Sequence, residues 1–194
     1  METVLFVGFI FLALIVLGNL LLTFALIRKV NVGHGDHASS SFPSMGLEVG
    51  AEAPDFTAQT LEGEAVTRAT YAGRSVAFVF ISTNCQPCRE VLPGLESLGP
   101  GAARAGVEIV LVSKDEQEAT SAFIDEMQIH LPVLIAPLDT TPFLKEYKAP
   151  MTPSYCLIDG QGKVQSVGHP QGSEWKALAE SWSRKDLALP ARRR

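Results

Sequence analysis

The chain has 194 residues, room for one medium-sized domain and an appendage. Its formal net charge of -5 gives no hint of nucleic-acid binding. Three cysteines, Cys85, Cys88 and Cys156, are too few for a disulfide-stapled scaffold and one short of a four-thiolate zinc site.

In chain order, the first feature is apolar. Val4 to Ile27 carry no charged side chain, and Asn19 and Thr23 are their only strongly hydrogen-bonding ones. As a helix this stretch would extend about 36 Å, enough to cross roughly 30 Å of hydrocarbon with some tilt. A buried core helix is usually shorter and shows a polar face. A cleaved signal peptide would carry a basic residue before a shorter apolar run and a small-x-small site after it. Here Ala25-Leu26-Ile27 leads directly into Arg28-Lys29, and no cysteine stands nearby to accept lipid. The expectation is an uncleaved single-pass anchor over residues 1–30, crossing the membrane through residues 4–27. Arg28 and Lys29 follow the span and Glu2 precedes it, so the positive-inside rule alone would put the next domain in the cytoplasm.

Residues 31–46 are rich in Gly, Ser and His around Pro43 and read as a flexible tether. His34 and His37 could meet a metal, but two histidines in a tether usually bind nothing. A folded domain is expected over 47–186. Its first strand is read near Phe56 to Gln59, before a turn at Gly63. Val76 to Ile81 is a continuous apolar run, as in a strand buried on both faces. A helix is read from Pro87 to Leu98, ended by Gly99-Pro100-Gly101. Val107 to Val112 is a second buried strand. Glu118 to Met127 reads as an amphipathic helix with Ala119, Ala122, Phe123 and Met127 on one side.

Leu131 to Ile135 is a short strand, and Thr141-Pro142 reads as the N-cap and first residue of a short helix to Tyr147. Ser154 to Ile158 and Lys163 to Val167 form a hairpin around Asp159-Gly160-Gln161-Gly162. Ser173 opens a last helix carrying Trp175, Leu178, Ala179 and Trp182. This order implies an α/β domain, a mixed central sheet with helices on both faces. Residues 187–194 end in Arg192-Arg193-Arg194, which could touch anionic headgroups but read more simply as a solvated tail.

The pair Cys85-Gln86-Pro87-Cys88 falls at a strand-to-helix junction. Unpaired backbone N–H groups and the helix dipole there stabilise an anion. Such a site commonly lowers a thiol pKa from ~8.5 into the range ~3.5–7.5, and the thiolate is the reactive form. Pro87 suits the first turn, where its missing N–H has no partner to lose. Cys88, one turn on, is placed to resolve a mixed disulfide formed at Cys85. Zinc would need about four ligands, and only Cys156 and scattered histidines remain. A purely structural disulfide would usually close a longer loop. Copper delivery is a better rival, since soft thiolates bind Cu(I) and His169 could serve as a further ligand.

"CQPC" after a buried strand, followed by "MTPSYCLIDGQGKV", resembles the thioredoxin superfamily from about Leu47 to Ser183. Pro93 stands where that superfamily kinks the helix, and Thr152-Pro153 stands where it has a cis-proline loop beside the disulfide. "GLEVGAEAPDF", "GVEIVLVS" and "LPVLIAPLD" resemble the membrane-tethered TlpA-like branch. The anchor and juxtamembrane stretch are similar to those of MauD-type thiol proteins of methylamine utilisation in bacteria.

The resemblance implies a thioredoxin-like fold, a redox-active Cys85–Cys88 disulfide with no bound cofactor, and a substrate groove shaped by Thr152 and Pro153. It implies protein thiols or disulfides and a redox partner as partners, with the domain outside the cytoplasm. A MauD-type client would be an amine dehydrogenase; cytochrome maturation is the neighbouring role. The non-enzyme alternative is a tethered copper-delivery or client-binding module.

Two departures matter. The acid that thioredoxins bury six residues before the first cysteine is replaced by Val79. The glutamate that some TlpA-like reductases place three residues after the second cysteine is replaced by Val91, with Glu90 displaced by one position. A peroxiredoxin would need Pro-x-x-x-Thr-x-x-Cys, and those positions before Cys85 hold Phe78 and Ser82. Cys156 is expected to be a small buried apolar side chain.

Overall fold

Apolar residues that alternate across a strand fill two cores at once when both faces are covered. That is the situation of β3 (Ser75–Ile81), at the centre of a computed structural model that describes residues 46–184 together with Val16 and Leu17. From Val76 to Ile81 no residue of β3 is more than 1% exposed. β3 pairs in parallel with β4 (Val107–Ser113), which pairs in parallel with β5 (Val133–Ile135). On its other side β3 pairs antiparallel with β6 (Ser154–Ile158), which turns into β7 (Val164–Gly168). The far edge is a small hairpin of β1 (Thr57–Thr60) and β2 (Ala65–Thr67), joined antiparallel to β5. The order across the seven-stranded sheet is β2-β1-β5-β4-β3-β6-β7.

One face carries three helices. In α1 (Gln86–Arg104), Cys88, Val91, Leu92 and Leu95 recur at helical spacing and form a buried stripe. They pack with Val79, Ile81 and Leu111 of the sheet, with Phe123 of α2 (Gln117–Met127), and with Trp175 and Trp182 of α4 (Ser173–Arg184). The two tryptophans meet edge to face at 5.6 Å.

The other face is covered by a single-turn helix, α3 (Phe143–Glu146), by the 3-10 turn Arg68–Tyr71 and by the segment around Phe56. Phe56 and Phe143 stack at 3.8 Å, and Phe78 stands edge-on to both. The mixed sheet with helices on both faces is therefore present, with most of the helical mass on one side.

Several details depart from the sequence reading. α1 does not stop at Gly99-Pro100-Gly101; it runs through Pro100 to Arg104. Gly101 and Ala102 are buried there, so packing outweighs the hydrogen bond lost at the proline. A side chain at Gly99 would meet Leu131 Cδ2 at 2.9 Å, so this glycine serves close approach rather than termination. The buried side of α2 is Thr120, Phe123 and Ile124, while Ala119 and Ala122 are not buried. The short helix has Pro142 at its N-cap instead of Thr141. Thr141 N–H bonds back to the Pro137 carbonyl at 2.9 Å, which ties Thr141 to the preceding turn. β2 and the 3-10 turn are not expected from the sequence.

Among the described residues no helix is long and apolar enough to cross a membrane. The expected span lies outside them apart from Val16 and Leu17, as do the tether (except Gly46) and the basic tail.

Candidate functional site

The chain leaves β3 at Ile81 and turns through Ser82, Thr83 and Asn84 into Cys85, the N-cap of α1. The turn is closed by Cys85 N–H donating to the Ser82 carbonyl at 3.2 Å. Cys85 has extended backbone angles, so its side chain folds over the first helical turn and Sγ accepts the Cys88 N–H at 3.2 Å. Gln86 and Pro87 fill the first turn, where proline forfeits no helical bond. Cys85 and Cys88 are joined in a disulfide. Their environments differ: Cys85 is half-buried, whereas Cys88 is fully buried in the helical-face core.

Across from the pair, the Thr152 carbonyl lies 3.4 Å from Cys85 Sγ. In the disulfide form Sγ carries no proton, so this is a contact; a reduced Cys85 thiol has an acceptor waiting there. The Thr152–Pro153 peptide is cis, and Pro153 is buried beneath the half-buried Thr152. Of the six residues singled out from the sequence, the structure brings Cys85 and Thr152 into contact; Gln86, Pro87 and the buried Cys88 follow Cys85 in the first turn of α1, and the buried Pro153 follows Thr152.

The electrostatics fit sulfur chemistry more than acid–base chemistry. The Cys88 N–H and the start of a long helix face Cys85 Sγ and favour a thiolate. At the positions of the two family acids, Val79 and Val91 pack in the apolar cluster with Cys88. Glu90 is exposed, and Gln86 Nε2 reaches its carboxylate at 3.5 Å, the outer limit of a hydrogen bond. Arg89 turns away to form a two-pronged pair with Glu126 of α2 at 2.8 and 3.1 Å, which holds the Glu126 carboxyl below its usual range.

The Ser82 hydroxyl occupies the place of the peroxiredoxin threonine but donates to Asp115 Oδ2 at 2.9 Å. The candidate copper ligand His169 is exposed, and its Nδ1 accepts the Gln171 N–H at 3.2 Å.

Cys156 stands apart. It pairs with Phe78 in the sheet and packs in the core of the opposite face. Burial pushes its thiol up to about 12.

Asp115 is the site residue that the sequence reading passed over. Its signal was available in principle. β3 and β4 are parallel and in register at Ile81 and Ser113, so residues just past both ends must be neighbours. Beside it an open cleft is lined by Thr83, Asn84, Lys114, Ala119 and Leu138, the last of these 60% exposed. The C-terminal ends of parallel strands are where such folds place their sites.

A thioredoxin-like sheet with a cysteine pair at its β3–α1 junction defines the class: thiol–disulfide oxidoreductases. The chain belongs to the AhpC/TSA family, whose profile matches residues 49–167. It is similar to the thiol-disulfide oxidoreductase ResA of Bacillus thuringiensis subsp. konkukian, 31% identical over 140 residues that cover 72% of this chain and 79% of the relative. It is 33% identical, over the same shares, to a ResA of Bacillus cereus. Among solved structures, a proposed thiol:disulfide interchange protein DsbE of Chlorobium tepidum superposes with a TM-score of 0.60 and 26% identity, over 73% of this chain and 97% of the other. The thioredoxin domain of a thiol-disulfide oxidoreductase from Bacteroides vulgatus shares the fold, with a TM-score of 0.62 and 24% identity over 70% and 98% of the two chains. The protein is an enzyme of this thiol–disulfide oxidoreductase class.

Proposed function

We propose that this enzyme is a membrane-tethered oxidoreductase in which Cys85 attacks and Cys88 resolves. In the reducing direction the Cys85 thiolate attacks one sulfur of a client disulfide. The other client sulfur leaves as a thiolate and takes a proton from solvent. Cys88 then gives up its proton and attacks Cys85 Sγ, which releases the second client sulfur. Two electrons pass to the client, and the pair ends as the disulfide. The same steps in reverse oxidise a client dithiol. No bound cofactor takes part.

The observation that carries this reading is the asymmetry of the pair: a half-buried sulfur at a helix start facing an N–H at 3.2 Å, and a fully buried partner one turn on. Thr152 and Pro153 form the opposite lip, where an extended client segment would lie. The exposed side chain of Met151 adds apolar surface beside it.

The tether is the apolar stretch 4–27, and the domain works outside the cytoplasm. Its clients are extracytoplasmic proteins whose cysteines must be paired or kept reduced, such as an amine dehydrogenase or a cytochrome during maturation. The MauD-type likeness of the juxtamembrane stretch favours the first. Exchange with a model protein disulfide should be lost in Cys85→Ser. A wild type that binds Cu(I) tightly and exchanges nothing would favour the copper-delivery alternative instead. Protease treatment of intact cells should remove the domain; protection would place it in the cytoplasm, as Arg28 and Lys29 would have it.

A further inference from the structure

We propose that Asp115 is a positioning residue for the Cys85 sulfur, holding the turn that presents it. This rests on the reading of Cys85 as the attacking thiol. One carboxylate oxygen, Oδ2, accepts two bonds from the turn: the Ser82 hydroxyl at 2.9 Å and the Thr83 N–H at 2.6 Å. Ser82 in turn fixes Cys85, because its carbonyl accepts the Cys85 N–H. Asp115 therefore reaches the nucleophile through a single residue.

Asp115 is itself held firmly. Its N–H donates to Ser113 Oγ at 3.2 Å, and that hydroxyl bonds Thr120 Oγ1 at 2.7 Å. Thr120 Oγ1 also donates to the Asp115 carbonyl at 3.4 Å. Ser113 and Thr120 are both fully buried, one at the end of β4 and one in the first turns of α2. The chain of contacts thus runs from two rigid elements through Asp115 into a turn that has no other side-chain anchor among the contacts described. The two buried hydroxyls are satisfied by each other and by the Asp115 backbone, which fixes the geometry of all three residues. What the anchor protects is the approach of Cys85 Sγ to the Cys88 N–H, the contact that favours the thiolate.

Charge and geometry make opposite demands here. A carboxylate near a thiol raises the thiol pKa, so its removal by charge alone would lower that pKa. If Asp115 acts by positioning, its removal instead loosens the sulfur from the N–H and raises the pKa. The other charged groups around the turn, Lys114, Glu116 and Asp139 in the cleft and Glu90 and the paired Arg89 on α1, stay unchanged.

The test is the pH dependence of Cys85 alkylation by iodoacetamide in the reduced full-length protein, followed by mass spectrometry. Asp115→Ala should raise the midpoint by about one pH unit, a tenfold fall in thiolate below it. Asp115→Asn keeps an oxygen able to accept both bonds, and its midpoint should stay at or below the wild-type value. Ser82→Ala removes one anchor and should shift the midpoint up by less. It decides the matter if Asp115→Ala does not fold. A fall of the midpoint in both Asp115 variants would overturn the proposal, as would an unchanged midpoint in Asp115→Ala or Ser82→Ala. If wild-type Cys85 is unreactive, or Cys85→Ser still exchanges disulfides, the reading of the nucleophile fails as well. If Cys85 reacts and only the midpoint is unmoved, Asp115 alone is misassigned.

Discussion

Alkaline pH tests the burial of Cys156 apart from the redox pair. Burial raises this thiol from 9.0 to about 12 in the folded protein. Above pH 9 the unfolded chain releases the proton and the folded chain keeps it. The unfolded state then binds fewer protons, so stability falls as pH rises. The contribution is fully present below the unfolded value and is lost on the way to the folded one. Between pH 8 and pH 10 the loss from this one group is about 1.3 kcal/mol. Tyr71, Tyr147 and Tyr155, all raised from 10.0 by burial, begin to add to the slope as pH nears 10, by at most about 0.4 kcal/mol each at pH 10, so the Cys156 contribution is read as the difference between wild type and a variant without the thiol. Urea denaturation of the oxidised protein at pH 8, 9 and 10 measures it. Cys156→Ala should sit lower at pH 8 through lost packing and should fall with pH less steeply than wild type, by the amount the thiol contributes. Equal slopes in the two proteins would refute the argument, because Cys156 would then ionise in the folded state as readily as in the unfolded one.

Other outcomes follow from packing and from the missing acids. Phe143→Ala removes the ring stacked on Phe56 and should cost ~3–5 kcal/mol by chemical denaturation. It lies on the face away from Cys88, so exchange per folded molecule should be retained. Gly160→Ala would bring a Cβ to 2.9 Å from the Gly73 backbone, and such overpacking should cost ~1–3 kcal/mol. Glu90→Gln should alter the pH profile of exchange only slightly, since Glu90 is exposed and touches Gln86 at the limit of bonding. A large loss would make Glu90 the substitute for the acids absent at Val79 and Val91.

The parts legible in the sequence were those with a strong local signature. "VAFVFI" and "VEIVLV" have the continuous apolar character that only a doubly covered strand needs, and they form β3 and β4. The cysteine pair announces a strand-to-helix junction because the first turn accepts Pro87. The resemblance brought Thr152 and Pro153, and the structure sets the Thr152 carbonyl against Cys85. Other features depend on tertiary contacts. β2 has three residues, too few for any period, and exists because β1 offers it an edge. α1 passes Pro100 because Gly101 and Ala102 are wanted in the core. Asp115 looks like any acid after a strand until the parallel register of β3 and β4 brings it beside Ser82 and Thr83.

The central claim is that Cys85 takes the client and Cys88 lets it go. Cys88→Ser removes the resolving thiol and leaves the first attack intact. Incubated with a disulfide-bonded model client and analysed by mass spectrometry without reduction, this variant should accumulate a mixed disulfide linked at Cys85. Linkage at Cys156, or no linkage while wild type turns over the client, would contradict it.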